Sequence, residues 1–219
     1  MNRLRLVAVN NYKDKEKFDE FITNLKRSTD STIDLIDYRT SNLKDRVEAL
    51  NPDAVVLSGS NYMLTKPDTR LVFEHEIDMI GKLRMPIIGV CYGHQLIGSA
   101  FGSSVVDLGQ TIRAMKDVNI LQKDPVFDSL PRTIRVSESH RQALSKLPEG
   151  FQLLAESASC KVEAMVHQTR PIYGFQFHPE RWDEKYPYGR TLIENFLKIV
   201  SKKKQASATS GLATTISHL

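Results

Sequence analysis

The segment with the clearest chemical signature is Gly89–Gly93, which has Cys91 at its centre, follows an apolar run and precedes an apolar helical pattern. Glycines two residues before and after a central residue permit the strained strand-to-helix turn that presents a nucleophile. A cysteine there lies at a helix N-terminus, where the dipole and free N–H groups favour the thiolate. We therefore interpret Cys91 as a candidate nucleophile. Free cysteines are more often small core residues, and Cys160, which lacks these surroundings, keeps that interpretation.

A nucleophilic cysteine needs a general base, and His178-Pro179-Glu180 supplies one at the end of the last predicted strand. Proline favours an extended residue before it, and residues i and i+2 of an extended chain point the same way. We therefore expect Glu180 to lie beside the imidazole of His178 and to fix its tautomer. A lone histidine after a strand is more often structural, so the argument depends on this pairing.

The loop Ser58–Asn61 follows another predicted strand and is a third candidate part of the site. In open parallel sheets, functional sites form at the carboxyl ends of the strands, so this loop is expected near Cys91. Backbone N–H groups of Ser60 and Tyr92 would then form an oxyanion hole for acyl transfer. Gly-Ser loops are common, and the loop alone would be weak evidence.

These candidates must be positioned by an α/β scaffold. In the first half, nearly continuous apolar runs alternate with helical periodicity, which is typical of a parallel sheet with crossover helices. The pattern predicts a Rossmann-like or flavodoxin-like, mostly parallel central sheet flanked by helices. The predicted strands are Leu6–Val9, Ile33–Ile36, Ala54–Leu57 and Pro86–Val90, with helical faces at Phe18–Leu25 and Phe73–Ile80.

The second half predicts additional, shorter antiparallel strands, one last strand over Pro171–Phe177 and a closing helix from about Pro187. We interpret residues 1–200 as one domain. Residues 201–219 have no hydrophobic periodicity and predict a disordered, basic, Ser/Thr-rich tail. The short strands are predicted at Asp117–Leu121, Thr133–Val136, Phe151–Ala155 and Lys161–Val166.

Composition excludes several classes of function. The 219 residues carry 30 basic and 26 acidic side chains, but three lysines, Lys202–Lys204, belong to the tail, which leaves 27 basic against 26 acidic. The charge therefore indicates no nucleic-acid partner. No apolar run approaches the ~18–20 residues of a membrane span. Two distant cysteines indicate a reducing compartment, and we expect a cytoplasmic protein. The alternative is peroxisomal, because Ser217-His218-Leu219 differs by one residue from a peroxisomal address.

Together, these motifs resemble the class I, triad-type glutamine amidotransferases. The family pattern Gly-x-Cys-x-Gly-x-Gln is met by Gly89, Cys91, Gly93 and Gln95, and its His-Pro-Glu is met 87 residues downstream of the cysteine. Within the family, several segments resemble the glutaminase part of GMP synthase. They are Ser137–His140, Leu147–Phe151, Cys160–Ala164 and Pro171–Gly174, and the whole resemblance covers about residues 52–200.

The resemblance implies a Cys-His-Glu triad in which Cys91 attacks the glutamine side-chain amide and His178 protonates the departing ammonia. Water activated by the same histidine would then cleave the γ-glutamyl thioester. The residues implied to hold the glutamine are Gly59, Gln95, Ser139 and His140. The resemblance implies no cofactor, and the absence of CxxC and HExxH spacings argues against a metal.

Two features leave alternatives open. The sequence contains no P-loop, so an ammonia-consuming reaction would need a separate ATP-dependent synthetase subunit. The chain also departs from the family pattern at Asn10–Tyr12, Ser60–Asn61, Arg141-Gln142 and Arg181–Asp183. A stand-alone γ-glutamyl hydrolase or peptidase is the first alternative, and a pseudoenzyme that only binds is the second.

Overall fold

The computed structural model describes the backbone of residues 3–216 and the side chains of residues 3–209. Its core is one nine-stranded mixed sheet with the order β2-β1-β3-β4-β9-β8-β7-β5-β6. Two clusters of buried apolar side chains pack on the sheet. The predicted α/β class, with a parallel part and an antiparallel part, is confirmed.

The parallel part carries the predicted alternation of strands and helices. All residues of β3, β4 and β9 are buried, as expected for strands covered on both faces. The strands are β1 (Arg5–Asn10), β2 (Thr32–Asp37), β3 (Ala54–Leu57), β4 (Ile87–Val90) and β9 (Ile172–Phe175). The helices of this part are α1 (Lys15–Lys26), α2 (Leu43–Ala49), α3 (Pro67–Val72), α4 (Glu74–Lys82) and α5 (Tyr92–Ala100).

The antiparallel part differs from the prediction in the length of its strands. Strand β5 (Val105–Ile120) has 16 residues and β6 (Thr133–Leu144) has 12, and they pair as a long hairpin. Most of β5 is at least partly exposed and polar, so its sequence has no continuous apolar signal. The strands β7 (Phe151–Glu156) and β8 (Ala164–His167) are short, as expected, and join the hairpin to β9.

The closing helix α6 (Tyr188–Ile216) continues well beyond the predicted domain end. Residues 201–216 are therefore helical in the structure, although their composition predicted disorder. Lysine, glutamine and alanine are good helix formers. Lys204 pairs with Asp53 at 2.9 Å, and Lys203 donates to the carbonyl of Arg84 at 3.2 Å, so this turn is tied to the domain. The tripeptide 217–219 lies outside the described residues. No helix within the described range is long and apolar enough to cross a membrane.

Candidate active site

Cys91 occupies a sharp turn between β4 and α5, with φ 52° and ψ −95°. This is the strained left-handed region that few side chains adopt. The flanking glycines are required by close approach. A Cβ on Gly93 would lie 2.5 Å from the carbonyl oxygen of Leu57, and a Cβ on Gly89 would lie 2.6 Å from that of Gly93. The turn predicted from the glycine spacing is present.

His178 lies next to this turn and is held by Glu180. The Nδ1 atom of His178 is 2.7 Å from Oε1 of Glu180, and both side chains are buried. Glu180 reaches the ring from a short 3₁₀ turn, Pro179–Arg181, and not from the extended segment that the sequence predicted. Burial lowers the pKa of His178, but Glu180 and Cys91 outweigh it and raise the pKa to about 9.

The thiol of Cys91 is enclosed by backbone and amide groups. Its Sγ donates to the carbonyl of Ser139 at 3.7 Å, and Nε2 of Gln176 donates to Sγ at 3.7 Å. Sequence reasoning missed Gln176. The available signal was its position two residues before His178, which puts both side chains on the same side of an extended segment.

The loop Ser58–Asn61 is fastened to the turn that carries the thiol. The N–H of Gly93 donates to the carbonyl of Ser58 at 3.2 Å, and Nδ2 of Asn11 donates to the same oxygen at 3.2 Å. A Cβ on Gly59 would lie 3.2 Å from Cε1 of His178, so the loop lies directly against the imidazole. Among the described residues, neither Gly59 nor Ser60 has a positive φ. The serine that departs from the family pattern is therefore unstrained.

A cavity of about 230 Å³ opens in front of Cys91. Five of the residues predicted to surround the substrate line it, whereas Gly59 contacts His178 and Tyr12 instead. The long β5–β6 hairpin supplies one wall, which sequence reasoning missed because the hairpin itself was not predicted. The lining residues are Ser60, Asn61, Tyr62, Met63, Cys91, Tyr92, Gln95, Thr111, Arg113, Ser139, His140, Arg141 and Gln142.

Two of the predicted substrate residues are engaged within the wall. Both nitrogens of His140 are used, Nε2 with Glu138 at 2.8 Å and Nδ1 with the carbonyl of Gln142 at 2.9 Å. The side chain of Gln95 donates to the same carbonyl at 2.9 Å and to Gln176 at 3.1 Å. These contacts fix the shape of the cavity. Within the described residues, no group of three His, Cys, Asp or Glu side chains is arranged to hold a metal.

A family model for class-I glutamine amidotransferases matches residues 9–200. The chain belongs to this family. The match also includes the first strands, so the family extends further towards the N-terminus than the resemblance over residues 52–200.

Similar curated amidotransferases include two archaeal proteins, each named as one subunit of glutamine-hydrolyzing GMP synthase. The one from Methanosarcina barkeri is 36% identical over 203 residues, which cover 92% of this chain and 100% of the relative. The one from Pyrococcus furiosus is 37% identical over 155 residues, which cover 71% and 79%.

Solved structures agree with the family assignment. A Thermoplasma acidophilum structure, described as that of a GMP synthase subunit, superposes with a TM-score of 0.76 and 29% identity, covering 95% of this chain and 99% of that one. A Thermotoga maritima glutamine amidotransferase gives 0.65 at 19% identity, covering 93% and 86%, and supports the fold alone.

Proposed function

We propose that this amidotransferase hydrolyses the side-chain amide of glutamine through a γ-glutamyl thioester on Cys91 and delivers the ammonia to a separate synthetase subunit. One observation carries the proposal. The only cysteine on a strained turn at a helix N-terminus within residues 3–216 adjoins a buried histidine, which a carboxylate orients at 2.7 Å. This is the arrangement of a nucleophile, a base and an orienting group.

In the first half-reaction, the thiolate of Cys91 attacks the amide carbon of glutamine. The tetrahedral oxyanion accepts hydrogen bonds from the backbone N–H groups of Ser60 and Tyr92, which line the cavity beside the thiol. The imidazolium of His178 gives its proton to the amide nitrogen as the carbon–nitrogen bond breaks. Ammonia leaves, and the γ-glutamyl thioester remains on Cys91.

In the second half-reaction, the neutral imidazole of His178 takes a proton from water, and the resulting hydroxide attacks the thioester carbon. The carbon–sulfur bond breaks, glutamate is released, and Cys91 and His178 return to the thiolate–imidazolium pair. Glu180 holds Nδ1 of His178 throughout, so that Nε2 serves in both proton transfers.

The synthetase would be a separate ATP-dependent chain in the cytoplasm. The archaeal relatives are each named as one subunit of GMP synthase, which supports a partner of this kind. The sequence contains no P-loop, so an ATP-dependent step would come from the other subunit.

The test is glutamate release by the purified protein from L-glutamine and from γ-glutamyl peptides, with and without the GMP synthase synthetase subunit of the same organism. We expect glutamine to be hydrolysed and the partner to increase the rate. Faster cleavage of γ-glutamyl peptides would instead favour a stand-alone hydrolase. No glutamate release under any condition would favour a protein that only binds.

A further inference from the structure

The cavity in front of Cys91 has an uneven charge. Two guanidinium groups, those of Arg113 and Arg141, are among its lining residues, and none of the described lining residues is acidic. A small cavity with this lining favours a ligand that carries a negative charge at the end away from the thiol.

The two arginines are not equivalent. Arg141 is already neutralised by Asp107, with Nε to Oδ1 at 2.9 Å and Nη2 to Oδ2 at 3.2 Å. The same contact lowers the pKa of the Asp107 carboxyl. Arg113 makes no hydrogen bond or ion pair with any residue in the described part of the chain. The guanidinium of Arg113 is therefore the one that can take a ligand's carboxylate without giving up an existing partner.

The position of Arg113 suits one end of a glutamine. Arg113 is directly opposite Ser139 in the β5–β6 ladder, and the carbonyl of Ser139 accepts from the thiol of Cys91. Paired residues in an antiparallel ladder lie roughly 5 Å apart, so this arginine stands one strand away from the reacting sulfur. A glutamine whose amide carbon is at the sulfur extends its α-carboxylate by a few carbon–carbon bonds. A long, flexible arginine can meet it there.

We propose that Arg113 binds the α-carboxylate of the γ-glutamyl substrate and makes that carboxylate the charged group by which the site selects its substrate. This inference rests on the proposed function and adds a specificity residue to it. No acidic lining residue matches the α-amino group, so a missing carboxylate costs more affinity than a blocked amine. Arg113 touches the substrate away from the reacting atoms, and it acts on binding and not on bond breaking.

The experiment compares L-glutamine with its α-amide, in which the carboxylate is replaced by a neutral carboxamide, using the wild-type protein and Arg113→Gln. For L-glutamine we expect KM to rise about 10- to 100-fold, because a charge-assisted hydrogen-bonded pair is lost, with kcat changed less than about threefold. For the α-amide we expect equal KM values in both proteins. Arg113→Lys, which keeps the charge but loses the fork, should lie between them.

Arg135→Gln is the matched control, because it removes an exposed arginine from the same hairpin, where it pairs with Asp117 and does not line the cavity. It should leave both KM values unchanged. A KM that rises equally for both substrates in Arg113→Gln, or for neither, would overturn the proposal.

A second measurement separates this inference from the proposed function. Calorimetry of L-glutamine and its α-amide with Cys91→Ala, alone and combined with Arg113→Gln, reads binding without any reaction. If the wild-type protein releases no glutamate, the proposed function fails. Tighter binding of glutamine than of the α-amide that vanishes with Arg113→Gln would still support Arg113 as the carboxylate ligand. Equal binding of both compounds, or no binding of either, would overturn it.

Discussion

The two cysteines are equally buried, yet their surroundings are very different. Cys91 lies on a strained turn at the start of α5 and contacts His178, a histidine whose pKa is raised to about 9. Cys160 lies in a turn where its N–H donates to Oγ of Ser157 at 3.0 Å, and burial and the nearby Glu163 raise the pKa of its thiol. Burial alone therefore does not decide which thiol reacts. A helix N-terminus and a histidine partner favour the thiolate at one site, and desolvation suppresses it at the other.

The largest expected difference is in activity. Cys91→Ala removes the atom that forms the thioester and should lower the rate of glutamate release by at least about 1000-fold. Cys160→Ala removes a small core side chain and should change kcat/KM by less than about threefold. Steady-state glutamate release by the two variants at equal folded concentration is the measurement. Comparable losses in both would mean that the difference in surroundings has no chemical consequence.

A smaller effect is expected when the carboxylate beside each cysteine site is neutralised. Glu180→Gln should lower the pKa of His178, because the imidazolium loses its acceptor at 2.7 Å, and should reduce kcat about 100-fold. The alkaline limb of the kcat/KM profile should then move to lower pH.

The matched variant is Glu163→Gln. Burial, the largest cause, and the neighbouring Glu138 raise the pKa of Glu163, so the carboxyl is already neutral and the amide resembles it. A full pH–rate profile of both variants is the measurement. An unshifted alkaline limb in Glu180→Gln would contradict the role of this residue.

The reactive turn could be predicted from the sequence, because its glycines and cysteine are contiguous and their spacing has a steric meaning. Glu180 was correctly expected beside His178, although from a different backbone conformation. The wall of the cavity was not predictable in the same way. Thr111 and Arg113 belong to a polar, exposed strand, and the partner that brings them to Cys91 is β6, more than 20 residues away. No local periodicity reports such a pairing.

The steric requirement of the turn predicts a loss of stability. Gly93→Ala should destabilise the protein by about 2 kcal/mol or more, because its Cβ would lie 2.5 Å from the carbonyl oxygen of Leu57. Gly81→Ala, in α4, has no atom within 4 Å of its new Cβ and should be neutral or stabilise by up to about 1 kcal/mol. Urea unfolding of both variants compares them, and equal midpoints would show that the close approach at Gly93 is not required.

The smallest effect concerns Glu76, a fully buried carboxyl of α4 whose charge acts on the side chain of Tyr92, the residue next to Cys91. Burial raises its pKa to about 8, although a contact with Asn11 lowers it. The native state then keeps a proton that the unfolded state loses above about pH 4.5. The contribution of Glu76 to stability therefore falls as pH rises from about 4.5 to 8.

Glu76→Gln keeps a neutral side chain of the same shape and removes this titration. The variant should match the wild type at pH 5 and be more stable at pH 8, by on the order of 2 kcal/mol. His178, whose raised pKa also makes stability fall above about pH 6.5, is present in both proteins and cancels in the difference. Thermal unfolding at the two pH values measures it, with Glu74→Gln, an exposed carboxyl at the start of the same helix, as the control. If the gain at pH 8 is no larger than at pH 5, Glu76 is ionised in the folded protein. The thiolate site would then adjoin a second buried charge, unlike the neutral surroundings expected from burial.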